Sequence, residues 1–241
     1  MSARRVPGGL ALARPVRLVA FLAILLAPTV ASAQAMRVDL PTPRVAITSA
    51  FKGADILVFG ALDAPGDVVI TVSGTPVRQT VLRKERILGL WVTGGRQTFD
   101  DVPTYYAVAA TRPLSQILPP EGAPGVAVTL SERLASIKPV DPGRRRPDDM
   151  DRFRDGLVDA KRRELLYPAE VGPVNLVAGR LFRAELQFPS RLPVGDYEIT
   201  AYVVREGQTV SAVSRPLIVS KEGFSAELFD AARDQIGRAH V

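Results

Sequence analysis

The chain has no cysteine, one tryptophan and one histidine, and only 6% of its residues are aromatic. Each shortage removes a class of chemistry. Without cysteine there is no disulfide, no thiolate nucleophile and no soft metal ligand, so the fold must be held by its core alone. The histidine, His240, sits in a terminal string treated below. Elsewhere no side chain has an ordinary pKa near neutrality. That removes the usual base of nucleophilic triads and most zinc, copper and iron centres. A G-x-S-x-G elbow is absent, and Gly94-Gly95 has neither the lysine nor the spacing of a phosphate loop. Trp91 alone is a poor start for a sugar site, which usually stacks several aromatics. No cofactor or metal is expected.

What is present begins with export. Arg4, Arg5, Arg14 and Arg17 precede the apolar run Leu18–Val30, and Ala31-Ser32-Ala33 places small residues where a signal peptidase reads. The run falls short of the roughly 20 residues that span a bilayer, and Pro28 interrupts it. Residues 1–33 are therefore expected to be a cleaved signal peptide. Their removal takes 31 basic side chains to 27 against 25 acidic ones, and the net charge from +6 to +2. The basicity is largely a targeting signal, and no nucleic-acid partner is expected. At the other end Ile236–Val241 reads as the translation of a common sequencing adapter. Residues 236–241 are thus expected to be foreign to the natural protein.

Between these ends the chain is organised around Ala50–Ser73. This stretch reads as two strands joined by a Pro65-Gly66 turn, apolar on both faces, near the centre of a sheet. Arg44–Thr48 is a first strand, after a proline-containing lead-in. Val77–Val92 reads as one or two strands with a charged bend at Arg83–Arg86, ended by Gly94-Gly95. Tyr105–Thr111 is another strand. Pro113–Ile117 forms a helical turn, Gly125–Pro139 is ambiguous, and Asp141–Asp149 is loop. A helix follows from about Asp148 to Tyr167, with Met150, Phe153, Leu157 and either Lys161 or Leu165 on one face. Leu181–Phe188 alternates strictly. Tyr197–Arg205 and Gln208–Val219 form the clearest hairpin, turning at Glu206-Gly207.

This cadence predicts a mainly β fold: an immunoglobulin-like β-sandwich over residues 34–220 with a helical insertion at about 113–168. The alternative is two small β domains with the helix as linker.

Candidate sites are few. Asp100 and Asp101 with Tyr105 form a carboxylate-and-phenol group for glycan chemistry. Asp148, Asp149 and Asp151 suit helix capping better than a hard cation. Ser136 and Lys138 lack the S-x-x-K spacing. Tyr105, Tyr106 and the basic run Arg144, Arg145 and Arg146 are the candidate interaction surface. The run is offset by the acidic residues after it, so a solvated loop is the plainer reading.

Three stretches carry a resemblance: FKGADILVFGALDAPGDVVITVSG (Phe51–Gly74), Leu90–Leu114 with FDDVPTYYAVAATRPL, and LFRAELQFPSRLPVGDYEITAYVVREGQTV (Leu181–Val210). Together they resemble the uncharacterised putative transmembrane protein family of Alphaproteobacteria. The resemblance implies an exported head followed by one C-terminal membrane span. Residues 221–235 would then be a connector toward a span missing here. It assigns no catalytic residues.

The expected location is the inner membrane, with the head in the periplasm. The expected role is a non-catalytic interaction module for an envelope or integral membrane protein. The alternatives are a carboxylate-dependent envelope enzyme on cell-wall or glycan substrates, and a small-solute-binding sensor domain.

Overall fold

Alternation of apolar and polar side chains decides which way each strand faces. In Leu181–Pro189 (β10), Phe182, Ala184, Leu186 and Phe188 are buried while Leu181, Arg183, Glu185 and Gln187 are exposed, the division expected from the sequence. The computed structural model describes residues 36–119, 129–140 and 147–222. Residues 1–33, where a signal peptide is expected, Arg144–Arg146, the adapter-like string and the expected connector beyond Glu222 lie outside the described residues.

The protein is mainly β. Gly53–Leu62 (β3) and Asp67–Gly74 (β4) are the two strands of the central stretch, but they do not pair with each other. β3 lies between Met36–Asp39 (β1) and β10, and β4 between Tyr106–Ala110 (β7) and Gly195–Arg205 (β11). Pro65-Gly66 is therefore a crossing between two parts of a sheet rather than a hairpin turn. Arg205 holds it, Nε donating to the Pro65 carbonyl and Nη2 to that of Ala64, both at 2.9 Å.

With Arg44–Ile47 (β2), Gly172–Val177 (β9) and Gln208–Lys221 (β12), the order is β1-β3-β10-β9-β7-β4-β11-β12-β2. This nine-stranded sheet curls until its halves share one core. Met36, Val58 and Phe182 come from one half, and Ile70, Ile199 and Leu217 from the other. Arg215 on β12 donates to the Val38 carbonyl of β1 at 3.0 Å, tying the two halves where they meet again. The lead-in contains β1, and Pro41 and Pro43 end it. Lacking an N–H for the ladder, they release the chain to the other half, where β2 joins β12 in parallel. β11 and β12 form the expected hairpin, with Glu206 at φ 51° and Gly207 at φ 76° in its turn. At the start of β11, the Tyr197 hydroxyl donates back to the Pro193 carbonyl at 2.7 Å.

The helices described, Leu114–Ile117 (α1), Leu130–Ala135 (α2) and Pro147–Arg163 (α3), all fall within residues 113–168. Strands from before and after this insertion alternate in one sheet, which rules out the arrangement of two β domains with a helical linker. α1 explains why β4 is buried on both faces: Ile117 and Leu118 cover Val69 from outside. α2 starts at a capping box. Thr129 Oγ1 accepts from the Glu132 N–H, and Glu132 Oε2 accepts from the Thr129 N–H.

α3 buries Met150, Phe153, Leu157 and Lys161, while Leu165 is two-thirds exposed. The helix stops before Leu165 can join that face. Leu165 adopts φ 60°, and its N–H bonds the Arg162 carbonyl while that of Leu166 reaches Lys161. This is the paired closure that ends many helices, here with leucine where glycine is usual.

One unit departs from expectation. Pro76–Ile87 (β5) and Leu90–Pro103 (β6) form a single long hairpin, extended by Pro139–Val140 (β8) into a three-stranded sheet. The charged run Arg83–Arg86 is strand rather than bend, and Gly94-Gly95 lies inside β6 rather than ending it. The register slips between Arg83 and Lys84, opposite Thr93 and Gly95, so glycine here marks a bulge. α3 packs on this arm through Phe99, Val102, Met150, Phe153 and Leu157, a second core apart from the main one.

Two glycines give opposite predictions. A Cβ on Gly60 would lie 2.2 Å from the Arg37 carbonyl oxygen and 2.5 Å from the Phe182 ring. Gly60→Ala is expected to destabilise by about 1–3 kcal/mol or more. A Cβ on Gly156 would meet only Val81, at 3.7 Å, so Gly156→Ala is expected to stabilise α3 by about 1 kcal/mol. Urea unfolding midpoints check both signs.

Candidate functional site

β9 joins the two halves of the sheet by short ladders. It pairs with β10 over Leu181–Ala184 and with β7 only at Ala109 and Ala110. Beyond these pairs β7 and β10 splay apart and leave a groove of about 600 Å³. Its walls are the start of β7 (Tyr105, Ala107), the α3–β9 link (Leu165, Glu170) and β10 (Glu185, Gln187). On the β9 side, the ladder described for β10 stops at Ala184 while the strand runs on to Pro189. The Tyr105 hydroxyl spans the gap, donating to the Gln187 carbonyl at 3.3 Å. In an extended strand the N–H and C=O of one residue point the same way, so the Gln187 N–H also faces the groove.

Aromatic packing forms the groove's floor. Tyr105 meets Phe188 edge-on with centroids 5.1 Å apart, and both lie about 6 Å from Tyr197. Tyr105 and Tyr106 are only 1% and 3% exposed. Their rings are core rather than exposed surface: Tyr105 lines the groove from within, and Tyr106 lies in β7, whose two faces are both covered. Glu170 and Glu185 are exposed on the rim, and Glu185 is paired with Arg183.

The other sequence candidates are held by structural partners. Arg78 clasps Asp100 with Nε on Oδ1 at 2.6 Å and Nη2 on Oδ2 at 3.2 Å, which keeps that carboxyl below its ordinary pKa. Asp101 adopts φ 61°, and its carbonyl accepts from Arg133. Tyr105 is thus bonded to Gln187 and Asp100 to Arg78, rather than the two forming one group. The Ser136 hydroxyl donates to the Arg133 carbonyl at 2.6 Å, and Lys138 is exposed. Asp149 reaches Arg83 at 3.4 Å, and Asp151 reaches Arg154 at 3.0 Å. Among the described residues no three His, Cys, Asp or Glu side chains gather as a metal-holding group.

Lys161, buried on the packed face of α3, has its ammonium pulled below the ordinary lysine pKa, mainly by desolvation. Sequence reasoning missed β9 and with it the groove. Gly172–Val177 carries a proline and buries only Val174, so it gave little periodic signal. It also passed over α2, although T-x-x-E at Thr129–Glu132 is a helix-start signature.

A mainly β fold built on one large curled sheet with a smaller second sheet defines the class of protein. Among the described residues no helix is long and apolar enough to cross a membrane, a statement that does not bear on strands. Comparison with family models is specific: the chain belongs to the family described as Putative transmembrane protein (Alph_Pro_TM), whose model matches residues 35–236. A comparison with curated proteins finds no match.

The tyrosines make the site's pH response predictable. Burial raises the pKa of all five phenols, that of Tyr197 to about 12 and those of Tyr105, Tyr106 and Tyr167 beyond it. The folded state therefore holds the phenol proton more tightly than the unfolded chain, whose tyrosines titrate near about 10. This contribution to stability is complete below about pH 10 and is lost as pH rises through the raised values. Tyrosinate absorbance is expected to stay flat past about pH 10 and then rise together with loss of β circular dichroism. Five phenols titrating near about 10 with the sheet intact would contradict it.

Proposed function

We propose that this protein is a membrane-tethered periplasmic head that works as a non-catalytic interaction module, taking an envelope or inner-membrane protein as its partner. Family membership supports the membrane association. The arginine-rich, apolar, small-residue order of residues 1–33 supports export and cleavage. The immunoglobulin-like reading of the head rests on three features: β2 lying parallel to the last strand, the hydroxyl of Tyr197 turned back onto Pro193, and β3 and β4 divided between the two halves of the sheet.

The observation that carries the proposal is the stretch of β10 beyond Ala184, which among the described residues has no strand on its β9 side. An extended segment of a partner can add there, taking main-chain bonds from Gln187 and setting apolar side chains on the Tyr105 and Phe188 floor. The catalytic alternative retains one supporting feature, since Glu170 and Glu185 share the groove. The solute-sensing alternative rests on a volume within the range of small-ligand sites.

A photo-crosslinking residue at Glu185 or Val171 separates these readings in intact cells. A discrete adduct with one envelope protein is expected, and Gln187→Pro, which removes the groove-facing N–H, should abolish it with the β circular dichroism retained. Absence of a protein adduct at both positions, or an adduct indifferent to Gln187→Pro, would overturn strand addition. If Glu185→Gln abolished a hydrolytic activity on cell-wall glycan, the reading would shift to the enzyme.

A further inference from the structure

We propose that the tip of the β5–β6 arm docks on an anionic lipid surface, with Leu88 and Leu90 entering the acyl boundary and Lys84 and Arg86 meeting the head groups. The turn itself gives the first indication. Leu88 and Gly89 both take positive φ, 49° and 86°, a two-residue turn that favours Asn-Gly or Asp-Gly on folding grounds. Leucine stands there instead, and it is 100% exposed. Leu90 is 70% exposed and Leu82 56%. A tip built for water would carry none of these.

The charges are sorted by face. The register places Lys84 and Arg86 on the face of Leu82 and Arg96, and all three basic residues are exposed. Arg86 also braces the turn, its Nε donating to the Gly89 carbonyl at 3.3 Å. Arg83 lies on the opposite face, where Asp149 pairs with it and the Phe153 ring lies 5.7 Å from its guanidinium. Asp149 of α3 is thus turned toward the other face of the arm. Between Lys84 and Arg96 the sequence has one acidic residue, Glu85, against three basic ones.

Spacing fits an interface. Arg86 lies two residues behind Leu88, about 7 Å along the strand. Interfacial apolar groups enter about 5–10 Å, which leaves Arg86 at head-group depth and Lys84 just above it. Lipid suits this shape better than a protein pocket. The tip is a convex two-strand prong, and its long basic side chains follow a fluid surface without fixed complementarity. The inference does not depend on the groove, so each can fail alone.

The absence of cysteine supplies a clean probe. The full chain carrying Leu88→Cys, labelled with an environment-sensitive fluorophore, is mixed with vesicles of phosphatidylcholine alone or with phosphatidylglycerol. Gln208→Cys, at the exposed start of β12 next to the β11–β12 turn, is the control. The expected result is a blue-shifted, enhanced emission at position 88 only, requiring phosphatidylglycerol and fading with salt. Replacing Lys84 or Arg86 by Gln should weaken vesicle partitioning about fivefold per charge. An unlabelled chain with Leu88→Asn should fold at least as well and bind these vesicles less. A probe at 88 that stays in water on anionic vesicles overturns the proposal. So does an equal response on neutral vesicles, a concentration-dependent shift without vesicles (a second copy), or shielding only in native membranes that protease treatment removes (a protein partner).

Discussion

The structure depends on burying both halves of one sheet against each other. β3 and β4 are consecutive, strongly apolar, and assigned to opposite halves, so the four residues between them must carry the chain across the core's edge. Arg205 holds two carbonyls of that crossing from the end of β11. With the crossing in place, β10 pairs with β3 and β11 with β4, so strands of the later half of the chain lie against strands of the earlier half. The insertion is tolerated because it leaves from β7 and returns at β9, two strands that are neighbours in the sheet.

What the sequence discloses about this fold follows from how local each signal is. The alternation in β10 and the Glu206-Gly207 turn are properties of a few adjacent residues, and both appear as expected. The partners of β3 and β4 are not local. An apolar run bounded by Pro-Gly looks the same whether it folds on itself or passes to the other half. The long arm was obscured for a different reason. Its charged residues are exposed along a two-stranded prong, where the demand for apolar alternation is weak, and its glycines serve as a bulge rather than an end. The groove was still less legible. It arises where two ladders stop short, and ladder length is a property of the assembled sheet. Tyr105 and Tyr106 could be named as notable, but their depth in the core depends on strands more than fifty residues away.

The two surfaces are built differently. The groove is a defect in pairing, lined in part by main chain and floored by the rings of Tyr105 and Phe188, and its geometry is held by the core. The arm is a projection whose own small core lies beneath α3, and its tip adds nothing to that core. A change at the tip therefore leaves the main fold untouched, whereas a change on the groove's floor is felt through the whole sheet.

The position of the last strand has a mechanical consequence. β12 is not an edge: β11 flanks it antiparallel along most of its length, and β2 lies parallel on its other side. A pull on the chain beyond residue 221 acts along the strand, at right angles to the bonds that hold it. Ladders loaded this way resist in shear, with many bonds sharing the force, whereas a terminal hairpin pulled from its open end would unzip bond by bond. A load applied along β12 would thus be shared by the ladders on both of its sides rather than carried by one bond at a time.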